Sequence, residues 1–139
     1  DRAAHHEAAV ADRALRPGEA ERKEGMMANP SKDKGTRAET AVARYLAAAG
    51  ADARRNALHG NADEGDIHAE VMGSVVCIEV KNRKRVELSR WMAETIAERT
   101  NSGAEVGWLV VKPEGIGMDK VGRWWVCMEF DDLMAVMAR

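Results

Sequence analysis

Apolar and polar residues alternate along two neighbouring runs of the chain. In Ile67-His68-Ala69-Glu70-Val71, the residues Ile67, Ala69 and Val71 share one side, and His68 and Glu70 the other. A few residues on, Val76, Ile78 and Val80 alternate with Val75, Cys77, Glu79 and Lys81. A period of two predicts a pair of half-buried strands. Between them, Gly73-Ser74 is a Gly-X pair suited to a two-residue type II′ turn. That turn predicts a hairpin in which Met72 pairs with Val75, Asp66 with Lys81 and His68 with Glu79. Asp66, Glu79 and Lys81 then share one face, and the apolar set shares the other. Asp66 and Glu79 become diagonal neighbours, about 7–8 Å apart at the backbone, so both carboxylates reach one ion. A one-residue slip would turn a whole strand over, so the hydrophobic pattern and the acidic cluster demand the same register. An ordinary hairpin with a solvated polar face shows the same alternation.

A period of three to four appears on either side of this hairpin. Ala38, Ala41, Val42, Tyr45, Leu46 and Ala49 form one stripe of a helix predicted over residues 34–49, with Gly50 at its C′ position. Glu39 lies at the edge of that stripe, about 100° from Ala38, where a side chain leans toward a neighbouring sheet or stands in water. Residues 52–58 read as a weakly patterned first strand, and 59–65 as a polar loop. A second helix is predicted over residues 88–102. Ser89 is its candidate N-cap, and Leu88, Trp91, Met92, Thr95, Ile96 and Arg99 trace its inner side. Residues 106–112 carry the continuous apolar centre Trp108-Leu109-Val110-Val111, expected of a strand buried on both faces. A last strand is predicted over 123–130, followed by a short helix capped by Asp131 or Asp132. The order α-β-β-β-α-β-β-α predicts an α/β fold, a mixed sheet flanked by helices. The tryptophans read as core bulk, with Trp91 also able to stack on a base. The methionines of the last helix read as core or as a dimer contact.

Composition narrows the class. The 139 residues fit one domain. Residues 1–33 are rich in Ala, Arg and Glu and broken by Pro17-Gly18 and Asn29-Pro30-Ser31; they bury too little to offset their ordering entropy. They are expected to be a flexible extension ahead of a domain at 34–139. Met26-Met27 reads as an internal start; alternatively, residues 3–15 form a helix that packs on a partner. Cys77 and Cys127 both fall in predicted strands, without a CxxC pair or a secretory signature, which predicts reduced cytoplasmic thiols. No apolar run approaches the roughly 20 residues that span a membrane, so no membrane association is expected. The Ala- and Arg-rich composition suits a GC-rich bacterial or phage source.

A net charge of −2 does not announce a nucleic-acid binder. The charge is unevenly spread, however. Lys81-Asn82-Arg83-Lys84-Arg85 is a tight basic run directly after the acidic pair, and Lys32, Lys34, Arg37, Arg54 and Arg55 precede it. A local patch of this kind holds phosphates even on a near-neutral chain, and a solvated loop has the same composition. Asp63, Glu64 and Asp66 crowd carboxylates that repel unless a cation or a proton lies among them. Oxygen ligands of this kind suit Mg2+ or Mn2+.

Lys34-Gly35-x-x-x-Glu39, then Gly65-Asp66-Ile67, then Glu79-Val80-Lys81, in α-β-β-β-α-β order, resemble the PD-(D/E)XK nuclease superfamily. Within it the pattern is most similar to the archaeal-type Holliday-junction resolvases and their phage-encoded relatives. The resemblance covers about residues 32 to 112. It implies a restriction-endonuclease-like core and a metal-dependent endodeoxyribonuclease that acts on branched DNA as a homodimer. It also implies Asp66 and Glu79 as Mg2+ ligands (Mn2+ substituting), with the Val80 carbonyl as a third and Glu39 completing the site. Lys81 would stand beside the attacking water and the scissile phosphate. Lys34, Arg37, Asn82, Arg83, Lys84, Arg85 and Lys112 would contact the DNA backbone. Two departures stand out. Gly65 occupies the position of the superfamily's Pro, and the chain lacks the glutamine that some branches carry on the second helix. A flap, mismatch, restriction-type or RNA-cleaving nuclease, or a binding module without turnover, remain alternatives.

Overall fold

The protein is described by a computed structural model over residues 30–55 and 65–138. The expectations for residues 1–29, for the end of the first strand and for Asp63 and Glu64 lie outside the described residues. Helix α1 (Pro30–Ala48) leads into strand β1 (Asp52–Arg55). The hairpin β2 (Ile67–Val71) and β3 (Ser74–Lys81) follows, then helix α2 (Leu88–Ser102) and strand β4 (Val106–Val111). A 3-10 turn (Val121–Arg123), strand β5 (Trp125–Cys127) and helix α3 (Phe130–Met137) complete the elements among the described residues. The five strands form one sheet in the order β1-β2-β3-β4-β5. Only β3 and β4 are parallel, because α2 carries the crossover between them. The predicted mixed α/β sheet flanked by helices is the one observed.

The alternation read from the hairpin decides what lies on either side of the sheet. Ile67, Ala69, Val76, Ile78 and Val80 turn to the face covered by α1, where they meet Ala38 and Val42. Leu109 and Val111 turn to the opposite face and pack on Trp91 of α2. Each large side chain so buried contributes about 1.5–3 kcal/mol. Trp91 is only 1% exposed, which removes it from any role in stacking on a base.

The hairpin register differs from the predicted one. The turn residues are Met72 and Gly73, both with positive φ (52° and 80°), and Val71 pairs with Ser74. Two positive φ values in sequence are the type I′ pattern. Ile67 therefore pairs with Ile78 and His68 with Cys77, a shift of two residues from the expected pairing. A shift of two keeps every side chain on its predicted face.

Other corrections concern helix ends and the last strand. Helix α1 begins at Pro30, four residues before the predicted start. The N-cap of α2 is Glu87 rather than Ser89, and that of α3 is Glu129 rather than Asp131 or Asp132; neither makes a side-chain capping bond. Asp132 is drawn inward instead, where its carboxylate accepts hydrogen bonds from Arg99 at 2.9 Å and from the Gly107 N–H at 3.0 Å. Leu88, expected on the inner side of α2, is exposed, and buried Glu98 takes an inner position that the apolar pattern did not mark. Strand β5 is three residues long rather than eight, because the 3-10 turn occupies its predicted start. The α3 methionines, Met134 and Met137, are exposed and not core.

Candidate active site

Asp66 stands one residue before β2. Its N–H donates to the Ile78 carbonyl at 3.0 Å, and its Oδ2 accepts from the Val80 N–H at 2.8 Å. The shifted register is what brings it beside Glu79, with which its carboxyl shares a hydrogen bond. Burial, then the Glu79 charge, and more weakly the Glu39 charge push the Asp66 pKa up to about 8, against the opposing pull of the Val80 N–H. At neutral pH the pair therefore holds a proton between its carboxyls.

Gly65 makes this approach possible. Its φ of +86° lies in the left-handed region, which proline cannot enter. A Cβ at this position would stand 2.5 Å from Cys77 Sγ and 3.4 Å from Glu98 Oε2. The chain thus lies directly on β3 and on the buried end of Glu98, and only glycine fits there.

Lys81 follows on the same face of β3. Its Nζ lies 3.3 Å from Glu79 Oε1 and 2.9 Å from Glu94 Oε2 on α2, and 5.9 Å above the centre of the Trp91 ring. Burial pulls the ammonium down. The hydrogen bond to Glu94 and the charges of Glu79 and Glu94 outweigh it and leave the pKa above the ordinary lysine value. Lys81 is thus a held cation. Glu94 was not singled out from the sequence; no spacing rule joins a residue of α2 to a lysine of β3.

Glu39 leans toward the sheet, one of the two options at its edge position. It is drawn to Arg55 of β1, with Nε at 3.1 Å and Nη2 at 3.0 Å from Oε2, while its charge still reaches Asp66. Among the described residues no three His, Cys, Asp or Glu side chains converge as a metal-binding group. Asp66 and Glu79 nonetheless fit a hard cation: both donors are carboxylate oxygens, held close enough for each charge to act on the other. Magnesium is commonly held by one or two carboxylates, with waters and substrate phosphate completing its shell.

The remaining sequence-predicted residues frame this site unevenly. Asn82, Arg83, Lys84 and Arg85 leave the end of β3 directly after Lys81, and Arg83, Lys84 and Arg85 are exposed. Lys112 lies alongside, its N–H donating to the Lys81 carbonyl at 2.9 Å. Lys34 and Arg37 lie within α1, with Arg37 exposed. Among the described residues, no hydrogen bond or ion pair links either of them to the carboxylate pair.

No family model matches the sequence, and no curated protein sequence matches it. Among solved structures, the chain is similar to Hjc, a Holliday junction resolvase from the archaeal hyperthermophile Archaeoglobus fulgidus. The fold is resolvase-like. The match has a TM-score of 0.50 and 26% identity, and covers 68% of this chain and 76% of that one. No helix among the described residues is long and apolar enough to cross a membrane.

Proposed function

We propose that this chain is a Mg2+-dependent endonuclease, with Mn2+ substituting, that cuts branched DNA, above all four-way junctions, as a homodimer. The observation that carries the reading is the joint placement of Asp66, Glu79 and Lys81 at the end of a hairpin, within a fold similar to that of a resolvase. Asp66 and Glu79, with the Val80 carbonyl, would hold the cation, and Glu39 would complete the site. Bound there, a divalent cation supplies an acidified water and neutralises charge on the phosphoryl oxygens.

The chain's own groups do the rest. The Lys81 ammonium orients the attacking water and meets the negative charge that grows on the phosphate. It does so as a cation already in place rather than as a base. With a cation bound, Asp66 and Glu79 would both face it as carboxylates, the Asp66 proton passing to solvent. The exposed run Arg83-Lys84-Arg85, together with Asn82, Lys112, Lys34 and Arg37, follows the DNA backbone through phosphate contacts and reads shape rather than base sequence. Two nicks placed symmetrically in a junction need two sites, which a two-fold dimer supplies.

The test is cleavage of a labelled four-way junction beside matched duplex, flap and single-stranded RNA, with Mg2+ or EDTA. Paired nicks on the junction, lost in EDTA and in Asp66→Asn, are expected. Cutting of all substrates alike would replace the resolvase with a broader nuclease. Tight junction binding without cutting would leave a binding module.

A further inference from the structure

One tryptophan departs from the role of core bulk. Trp91 and Trp124 are buried and Trp108 is half-buried, whereas Trp125 of β5 is 56% exposed. Its register in the sheet ties it to the candidate site. Lys81 pairs with Val111, and Val111 pairs with Trp125. Residues opposite one another on neighbouring strands turn to the same face, so these three form one row across β3, β4 and β5. The row behind it is Glu79, Leu109 and Cys127. Leu109, Val111 and Cys127 belong to the cluster around Trp91, which makes this the α2 face. Val126, the next residue and 49% exposed, pairs with Val110 of the main core cluster and turns to the α1 face. Trp125 therefore stands on the catalytic side of the sheet and its neighbour does not.

Cations collect at the same end of the sheet. Lys112 directly follows Val111, exposed Arg123 precedes Trp125 by two residues, and the exposed run Arg83-Lys84-Arg85 leaves β3 just after Lys81. Strands lie about 4.8 Å apart, so Trp125 is about 10 Å across the sheet from Lys81, or about three base steps of a duplex.

We infer that Trp125 is a platform on which an unstacked base rests when the phosphate of its strand lies at Lys81, and that this contact selects branched over continuous DNA. The inference rests on the endonuclease reading and names the feature of the substrate that this site recognises. A base inside a continuous duplex has both faces covered by its neighbours. A branch point interrupts that stack and frees a face. An indole ring takes any such base, because every base has a π-face, and basic side chains alongside track the backbone. Those cations alone hold any phosphate and give no preference for a branch.

Full-length chain in EDTA, where no cutting is expected, is titrated with a four-way junction carrying 2-aminopurine at the branch point, and with matched duplex. The expected result is quenched 2-aminopurine emission in the wild-type complex and bright emission with Trp125→Ala. The junction-to-duplex affinity ratio should fall about ten-fold or more in that variant, the usual cost of one lost stacking contact. Trp125→Phe should restore most of the ratio, and Val126→Ala, on the opposite face, should leave it unchanged. Trp125→Leu keeps apolar bulk without a ring and should fail as Trp125→Ala does, which also covers a Trp125→Ala chain that does not fold. An unchanged ratio and emission in Trp125→Ala or Trp125→Leu overturns the inference and leaves the nuclease reading standing. A wild-type dimer that dissociates in Trp125→Ala, seen by light scattering without DNA, would make Trp125 a contact between copies and also overturns it. A wild type that binds no junction overturns the nuclease reading as well.

Discussion

Lys81 is gripped from two elements at once, and its shorter contact is to Glu94: Nζ lies 2.9 Å from Glu94 Oε2 on helix α2. Glu94 is itself steadied by Arg90, whose Nε lies 3.7 Å away. A lysine side chain left to itself samples many rotamers. Held by Glu94 and laid over Trp91, this one has little freedom to leave the carboxylate pair.

Glu94→Ala is therefore expected to lower junction-cleavage kcat by about ten-fold or more, the usual cost of losing a group that orients a catalytic residue. KM and melting temperature should change little, and Glu94→Gln, which keeps one hydrogen-bond acceptor, should fall between. Single-turnover kinetics with excess enzyme measure this directly. An unchanged kcat in Glu94→Ala would show that Lys81 needs no such holder.

Asp66 sets a pH dependence on stability. Its folded pKa, about 8, stands above the ordinary carboxylate value of 3.8. The folded state thus binds the extra proton, and the metal-free protein loses stability as pH rises between those two values. Asp66→Asn removes the repulsion with Glu79 and keeps an oxygen for the Val80 N–H. In EDTA at pH 8 it is expected to raise stability by about 1 kcal/mol or more, roughly 2–8 °C in Tm for a domain of this size, while abolishing cleavage. Mg2+ should raise the wild-type Tm more at pH 8 than at pH 6, since binding displaces the proton. Thermal melts at the two pH values, with and without Mg2+, check both.

Gly65→Ala should both destabilise the protein and impair the site. The left-handed φ costs an L-residue about 1–2 kcal/mol, and the new methyl would meet Cys77 Sγ at 2.5 Å. Cys77→Ala in the same chain opens space and should recover the steric part, leaving the backbone part. Urea melts of the two single variants and the double variant separate the terms. Equal stability of Gly65→Ala and wild type would mean that the loop can move away without loss.

The basic run after Lys81 should act through phosphates. Lys84→Ala/Arg85→Ala is expected to weaken junction binding and to reduce the slope of log K against log salt by about 0.9 for each phosphate that is no longer neutralised. Affinities for junctions of different sequence should fall by similar factors. A variant with an unchanged salt slope would place the DNA elsewhere on the surface.

Much of this fold was legible in the chain. The spacing of Ala38, Ala41 and Val42 marked α1, the run from Leu88 to Gly103 marked α2, and the alternation through Ile67–Val71 and Val76–Val80 marked which side chains turn toward α1, although β3, expected to be half-buried, is buried on both faces, Cys77 and Glu79 included. Periodicity carries that information because burial follows it. The candidate residues Asp66, Glu79 and Lys81 could be placed on one face for the same reason.

The hairpin register could not be read in this way. Pairing Asp66 with Lys81 and the observed shift of two residues leave identical faces buried, so hydrophobicity is blind to the difference. The left-handed backbone at Met72 and Gly73 decided it, and with it the meeting of Asp66 and Glu79. Glu94 and the inward turn of Asp132 escaped for a related reason: their partners lie on other elements, and only the packed structure brings them together. Local pattern determined the elements and their inner sides. Only the folded structure decided the turn geometry, set by the backbone at Met72 and Gly73, and tertiary packing decided the close carboxylates and the side of α3 left to solvent, because these last depend on contacts between residues far apart in the chain.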